Sequence, residues 1–125
     1  MISVEVDNRS GVEVDEAGAV ELAKEVLRAE GVEHGELGLA FVDTEEMRDL
    51  KRNHLGLDEA TDVLSFPIDG RDELPDGVPR ALGDVVLCPE VVGDDWRWAL
   101  THGLLHLLGY VHGDEMDARE KQLLP

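Results

Sequence analysis

Three histidines stand close together near the end of the chain, in "THGLLHLLGYVHGDE" (residues 101–115). His102 and His106 are four apart, which on a helix puts them on one face, one turn from each other. His112 follows Gly109, and glycine readily takes the left-handed conformation that ends helices. The chain can therefore turn there and bring a third imidazole back toward the first two. The spacing H-x3-H-x5-H suits a catalytic zinc, with three protein ligands and a fourth position for water. Imidazole also accepts nickel, cobalt or iron, but one zinc per chain is the expectation. The setting supports a shared metal. Trp98, Ala99, Leu100, Leu104, Leu105, Leu107 and Leu108 make the segment apolar nearly all round, so the helix should be buried, and a buried imidazole needs a partner.

The same spacing occurs in metalloproteases of the H-E-x-x-H-x-x-G-x-x-H type. Here Gly103 stands where that motif carries its glutamate base, so the sequence argues against a peptidase.

The elements that must position the histidines can be read from periodicity. "ISVEVDN" alternates and predicts a strand. "VDEAGAVELAKEVLRAEG" predicts a helix with Asp15 as N-cap and Gly31 as stop, and Val20, Leu22, Ala23, Val26 and Leu27 as its apolar face. "ELGLAFVD" predicts a strand. "TEEMRDLKRNH" predicts a helix with Thr44 as N-cap and Glu45 and Glu46 in its first turn. "TDVLSFP" predicts a short strand stopped by Pro67, "IDGRDELPDGVPR" an exposed loop, and "ALGDVVLCP" another strand. The histidine helix should begin at Asp94 or Asp95 and run toward Gly109. "GDEMDAREKQLL" should add a short terminal helix. The prediction is an α+β fold, one domain over residues 1–125, with a mixed sheet of about four strands flanked by helices.

Composition narrows the setting. The chain has 125 residues and a formal charge of −18, with 29 acidic side chains against 11 Lys plus Arg. Such a surface repels nucleic acid and anionic membranes at long range, though it leaves room for a local basic groove. It also suits a high-salt cytoplasm, where self-repulsion is screened. No apolar run approaches the roughly 20 residues needed to cross a bilayer, and the first residues do not read as a secretory signal. Cys88 is the one cysteine; an inert, buried thiol in a reducing cytoplasm is expected.

"TDVLSFP", "LGDVVLCPEV" and "HGLLHLLGYVH", in this order with the "VEVDN" and "FVD" strands before them, resemble the YbeY family, bacterial metal-dependent endoribonucleases. The resemblance implies a mixed sheet flanked by helices and a zinc site in a cleft. It also implies cleavage of single-stranded RNA in small-subunit rRNA maturation and ribosome quality control, with the small subunit or its assembly factors as partners. The chain departs from the family at three places. Val111 replaces the aspartate of "GYDH", Leu55 stands where many members carry arginine, and the stretch between "PEV" and the histidine helix is about ten residues shorter.

In such an enzyme a zinc-bound water could attack the phosphodiester, or a zinc hydroxide could activate the substrate's own 2′-hydroxyl. Candidate substrate contacts are Ser65 beside the cleft and Arg48 and Arg52, which with Lys51 recur at helical spacing as a possible phosphate-binding stripe. Against these stand local hydrogen bonding for Ser65 and pairing with acids such as Glu45 for the stripe. Trp98, one turn before His102, is expected mainly as core packing, with base stacking as the lesser reading. Asp114 and Glu115 are expected as solvated charges of the last helix, His54 as a helix-end residue, and His34 as plain surface. The general base is not identified. The rival readings are a ribosome-associated relative that keeps zinc for structure alone, and an unrelated metallohydrolase.

Overall fold

The computed structural model describes residues 1–55, 63–110 and 113–123, the side chains of His54 and Leu55 excepted. Along the chain run β1 (Ile2–Asn8), α1 (Glu16–Ala29), β2 (Gly35–Phe41), α2 (Thr44–Leu55), β3 (Val63–Pro67) and β4 (Ala81–Leu87). They are followed by α3 (Pro89–Val92), a 3-10 turn (Gly93–Asp95), α4 (Trp96–Leu107) and α5 (Asp114–Leu123). The four strands form one mixed sheet in the order β1-β2-β4-β3. β1, β2 and β4 are parallel, and β3 runs antiparallel along the edge of β4. Pro67 ends that edge strand, where a missing donor costs the sheet least.

Side-chain alternation divides the sheet into two faces. Leu37, Leu39 and Phe41 of β2 and Val85 and Leu87 of β4 join the main core with α1 and α4. Opposite Glu36 and Leu37 the register along β4 jumps from Ala81 to Gly83. Leu82 is the extra residue of that bulge, so it too enters the core. On the second face, Met47 and Leu50 of α2 pack on Leu64, Phe66 and Val86, with Val42 and Cys88. Helices α4 and α2 therefore lie on opposite sides of the sheet. Among the described residues no helix is long and apolar enough to cross a membrane.

The helix ends refine the sequence reading. Asp15 caps α1 as expected, accepting from the Gly18 amide at 2.9 Å. For α2 the expected cap, Thr44, is instead the first helical residue. Asp43 does the capping: its Oδ1 accepts from the Glu46 amide at 2.7 Å and its carbonyl from the Met47 amide at 3.0 Å. A carboxylate one residue earlier is the better partner for the positive helix end. α4 begins at Trp96, later than expected, because Pro89 starts a short helix immediately after β4 and the 3-10 turn takes up Asp94 and Asp95. In "TDVLSFP" the strand is seen from Val63; Thr61 and Asp62 lie outside the described residues.

Candidate metal centre

α4 carries the histidines across the sheet, and two glycines decide how. Gly103 sits where the helix lies against β3 and β4. A Cβ there would fall 2.8 Å from Val63 Cγ2, 2.9 Å from Val85 Cγ1 and 3.3 Å from Ser65 Oγ. The position therefore faces the sheet, and a glutamate there, as in the protease motif, would clash with β3 and β4.

At the other end, Gly109 has φ +101°. Its amide bonds the His106 carbonyl at 3.0 Å, and the Tyr110 amide bonds the Leu105 carbonyl at 3.0 Å. This is the paired closing pattern of a Schellman motif, with glycine in the left-handed position. The predicted helix break is thus realised at the predicted residue.

His102 and His106 come together as the spacing predicts. Their ring centroids are 4.7 Å apart, edge to face, and both residues are half-buried. Each Nδ1 is engaged by an acceptor. His102 Nδ1 meets Glu120 Oε1 at 2.5 Å, and His106 Nδ1 meets the Tyr110 carbonyl at 3.0 Å. A carbonyl can only accept, so His106 carries its proton on Nδ1, and the neutral ring keeps its lone pair on Nε2. Glu120, when ionised, imposes the same tautomer on His102. Metal-binding histidines are usually held this way, with the second ring nitrogen donated to a carboxylate or carbonyl. The donor set therefore fits a zinc held through two Nε2 atoms. His112, the third expected ligand, and Val111 beside it lie outside the described residues.

Glu120 was not singled out by sequence. It is buried, at 6% exposure, although it belongs to the acid-rich helix α5. Its other oxygen accepts from Trp98 Nε1 at 3.2 Å, and the Trp98 indole stacks on the His102 ring at 4.8 Å with 27° between planes. One carboxylate thus fixes both rings. The expectation that Trp98 packs in the core is overturned: it is 39% exposed, because α4 lies along the side of the core and this residue stands on its outer edge. Among the described residues no buried side-chain nitrogen or oxygen lacks a hydrogen-bond partner.

A second network anchors the turn after α4. Glu30, the C-cap of α1, has a carboxylate that receives Arg71 at 2.7 Å, Arg119 at 2.5 Å and the Tyr110 hydroxyl. Burial alone would raise this carboxyl, but hydrogen bonds from Tyr110 and Arg119 and the charges of Arg119 and Arg71 bring it below its ordinary value. Because Tyr110 also presents the carbonyl that holds His106, the far end of α1 helps to set the histidine pair.

The expected substrate residues do not all converge. Ser65 lies next to α4, and its hydroxyl donates to the Gly103 carbonyl at 2.6 Å, fastening β3 to the helix between the two histidines. Arg48 and Arg52 are exposed on α2, on the opposite side of the sheet from α4. Arg52 bonds Asp49 at 3.4 Å, while Glu46, near the expected stripe, pairs with Arg9 at 2.6 Å. Asp114 and Glu115 are exposed in the first turn of α5, as expected, and His34 is on the surface. Cys88 is buried, and burial pushes its thiol up, which suits an inert residue.

The sequence profile of the family described as Endoribonuclease YbeY matches residues 5–124. This chain belongs to that family. Endoribonuclease YbeY of Beutenbergia cavernae is 44% identical over 135 residues, spanning 95% of this chain and 89% of the relative. Endoribonuclease YbeY of Mycolicibacterium gilvum is 38% identical over 145 residues, spanning 98% and 82%. Both matched spans exceed the chain's own 125 residues, so these YbeY relatives carry residues that it lacks. The solution structure of TM1509 from Thermotoga maritima superposes with a TM-score of 0.56 at 24% identity, covering 98% of this chain and 86% of that one, and shares the fold.

Proposed function

We propose that this protein is a zinc-dependent endoribonuclease that cuts single-stranded RNA in small-subunit rRNA maturation and ribosome quality control, in the cytoplasm, as a single YbeY domain over residues 1–125. The observation that carries the reading is the histidine pair of α4, with both Nδ1 atoms held by acceptors, in a YbeY chain. His102, His106 and His112 would hold the metal. Zinc held by three neutral imidazoles would supply a bound water with a pKa of about 7 and a Lewis acid for phosphate oxygens. The chain's own part is positional. Glu120 and the Tyr110 carbonyl keep both imidazoles in the Nδ1–H form, Gly103 and Ser65 seat the helix on β3 and β4, and Gly109 ends the helix. The RNA meets Ser65 on the side of the sheet that carries α4; Arg48 and Arg52, on the other side, would act on a longer strand or on the ribosomal partner.

The test is cleavage of a single-stranded RNA with and without added zinc, beside His106→Ala. The reading requires zinc-stimulated cleavage by the wild type and its loss in the variant. Cleavage that survives both chelation and His106→Ala overturns it.

A further inference from the structure

We propose that Trp98 is a nucleobase-stacking residue, seating one base of the RNA strand beside the histidine pair; this rests on the RNA-cleaving function proposed above.

The leucines of α4 are in the core: Leu100, Leu104, Leu105 and Leu107 are at most 2% exposed. Trp98 is 39% exposed. Its exposure is not that of a loose surface side chain. The indole is stacked on His102 and tied through Nε1 to the buried Glu120. A ring fixed in advance loses little freedom when a base docks on it. The other tryptophan provides the contrast. Trp96, two residues earlier, is half-buried against the main core, with Arg97 placed 4.4 Å over its ring. One tryptophan is built into the fold, and the other is presented to solvent in contact with a candidate metal ligand.

Charge gives the second reason. With a net charge of −18, the chain gains little long-range attraction for a polyanion. Base stacking on an aromatic ring needs no net positive charge and tolerates any base. It therefore supplies affinity of the kind this surface withholds.

The experiment measures binding of a fluorescein-labelled, 2′-O-methylated single-stranded oligoadenylate to the zinc-loaded protein by anisotropy, at several KCl concentrations. The variants are Trp98→Ala and Trp98→Phe, with zinc affinity measured in parallel by chelator competition. Both variants lose the bond to Glu120, so the difference between them isolates the ring. Trp98→Ala is expected to weaken binding about 5- to 100-fold, as for stacking residues elsewhere. Trp98→Phe should stay within about threefold of wild type, and the ratio between alanine variant and wild type should hold as KCl rises. In cleavage assays Trp98→Ala should raise KM more than it lowers kcat. Equal binding by wild type and Trp98→Ala overturns the proposal and leaves the RNA reading standing. Equal loss in Trp98→Ala and Trp98→Phe also overturns it, assigning Trp98 to the support of Glu120. A wild type that neither binds nor cuts RNA overturns both.

Discussion

Replacing Gly103 with alanine is the sharpest probe of how the fold seats the histidines. The added methyl would lie 2.8 Å from Val63 Cγ2 and 2.9 Å from Val85 Cγ1, both closer than real Cβ contacts allow, and 3.3 Å from Ser65 Oγ. Both close neighbours are stiff β-branched residues on adjacent strands, and Val85 is fully buried. Neither can rotate away cheaply, so α4 must lift from the sheet and stretch the Ser65 bond to the Gly103 carbonyl. Overpacking of this kind costs about 1–3 kcal/mol. Alanine regains about 1 kcal/mol of helix propensity over glycine. The net loss, with the weakened Ser65 bond, is about 1–2 kcal/mol, or about 4–8 °C in Tm for a chain of this size. Because His102 flanks the substituted residue and His106 follows a turn later, zinc affinity should fall with it. Thermal melts of the metal-free protein and a chelator titration measure the two effects. An unchanged or raised Tm would refute the close packing of α4 on β3 and β4.

Glu120→Ala should weaken zinc binding about 10- to 100-fold by freeing the His102 ring, with Glu120→Gln closer to wild type because its carbonyl still accepts from Nδ1; chelator competition on folded protein measures both. Glu30 has a carboxyl held below its ordinary value of 4.5, so its stabilisation is complete above that pH and is lost as pH falls through the lower folded-state value. By losing its charged hydrogen bonds to Arg71 and Arg119, Glu30→Gln should cost about 2 kcal/mol at pH 7, and it should flatten the fall in stability below pH 4.5, as followed by urea melts across pH. With a charge of −18 to screen, Tm should rise along a KCl series; a flat or falling Tm would argue for an ordinary low-salt setting.

Much of the site was legible because it rests on local geometry. The four-residue spacing of His102 and His106 and the glycine at 109 are helix rules, and the motif order pointed to the family. What escaped the sequence depends on contacts between distant segments. Glu120 looks like Asp114, Glu115 and Asp117 in the same acidic helix. The one hint is its four-residue spacing from Met116, which puts both on the buried face of α5. Trp98 reads as core because its helix is apolar; only the packing reveals which edge is left open. Arg48 and Arg52 formed a plausible stripe in one dimension, but the sheet separates α2 from α4. Thr44 lost its capping role to Asp43 over a single residue, the usual margin of error at a helix end.

The central claim is that the α4 histidines hold a metal, and elemental analysis of the purified protein tests it most directly. The wild type should carry one zinc per chain, and His102→Ala, His106→Ala and His112→Ala should each lose most of it while remaining folded. Full zinc occupancy in His106→Ala would contradict the claim.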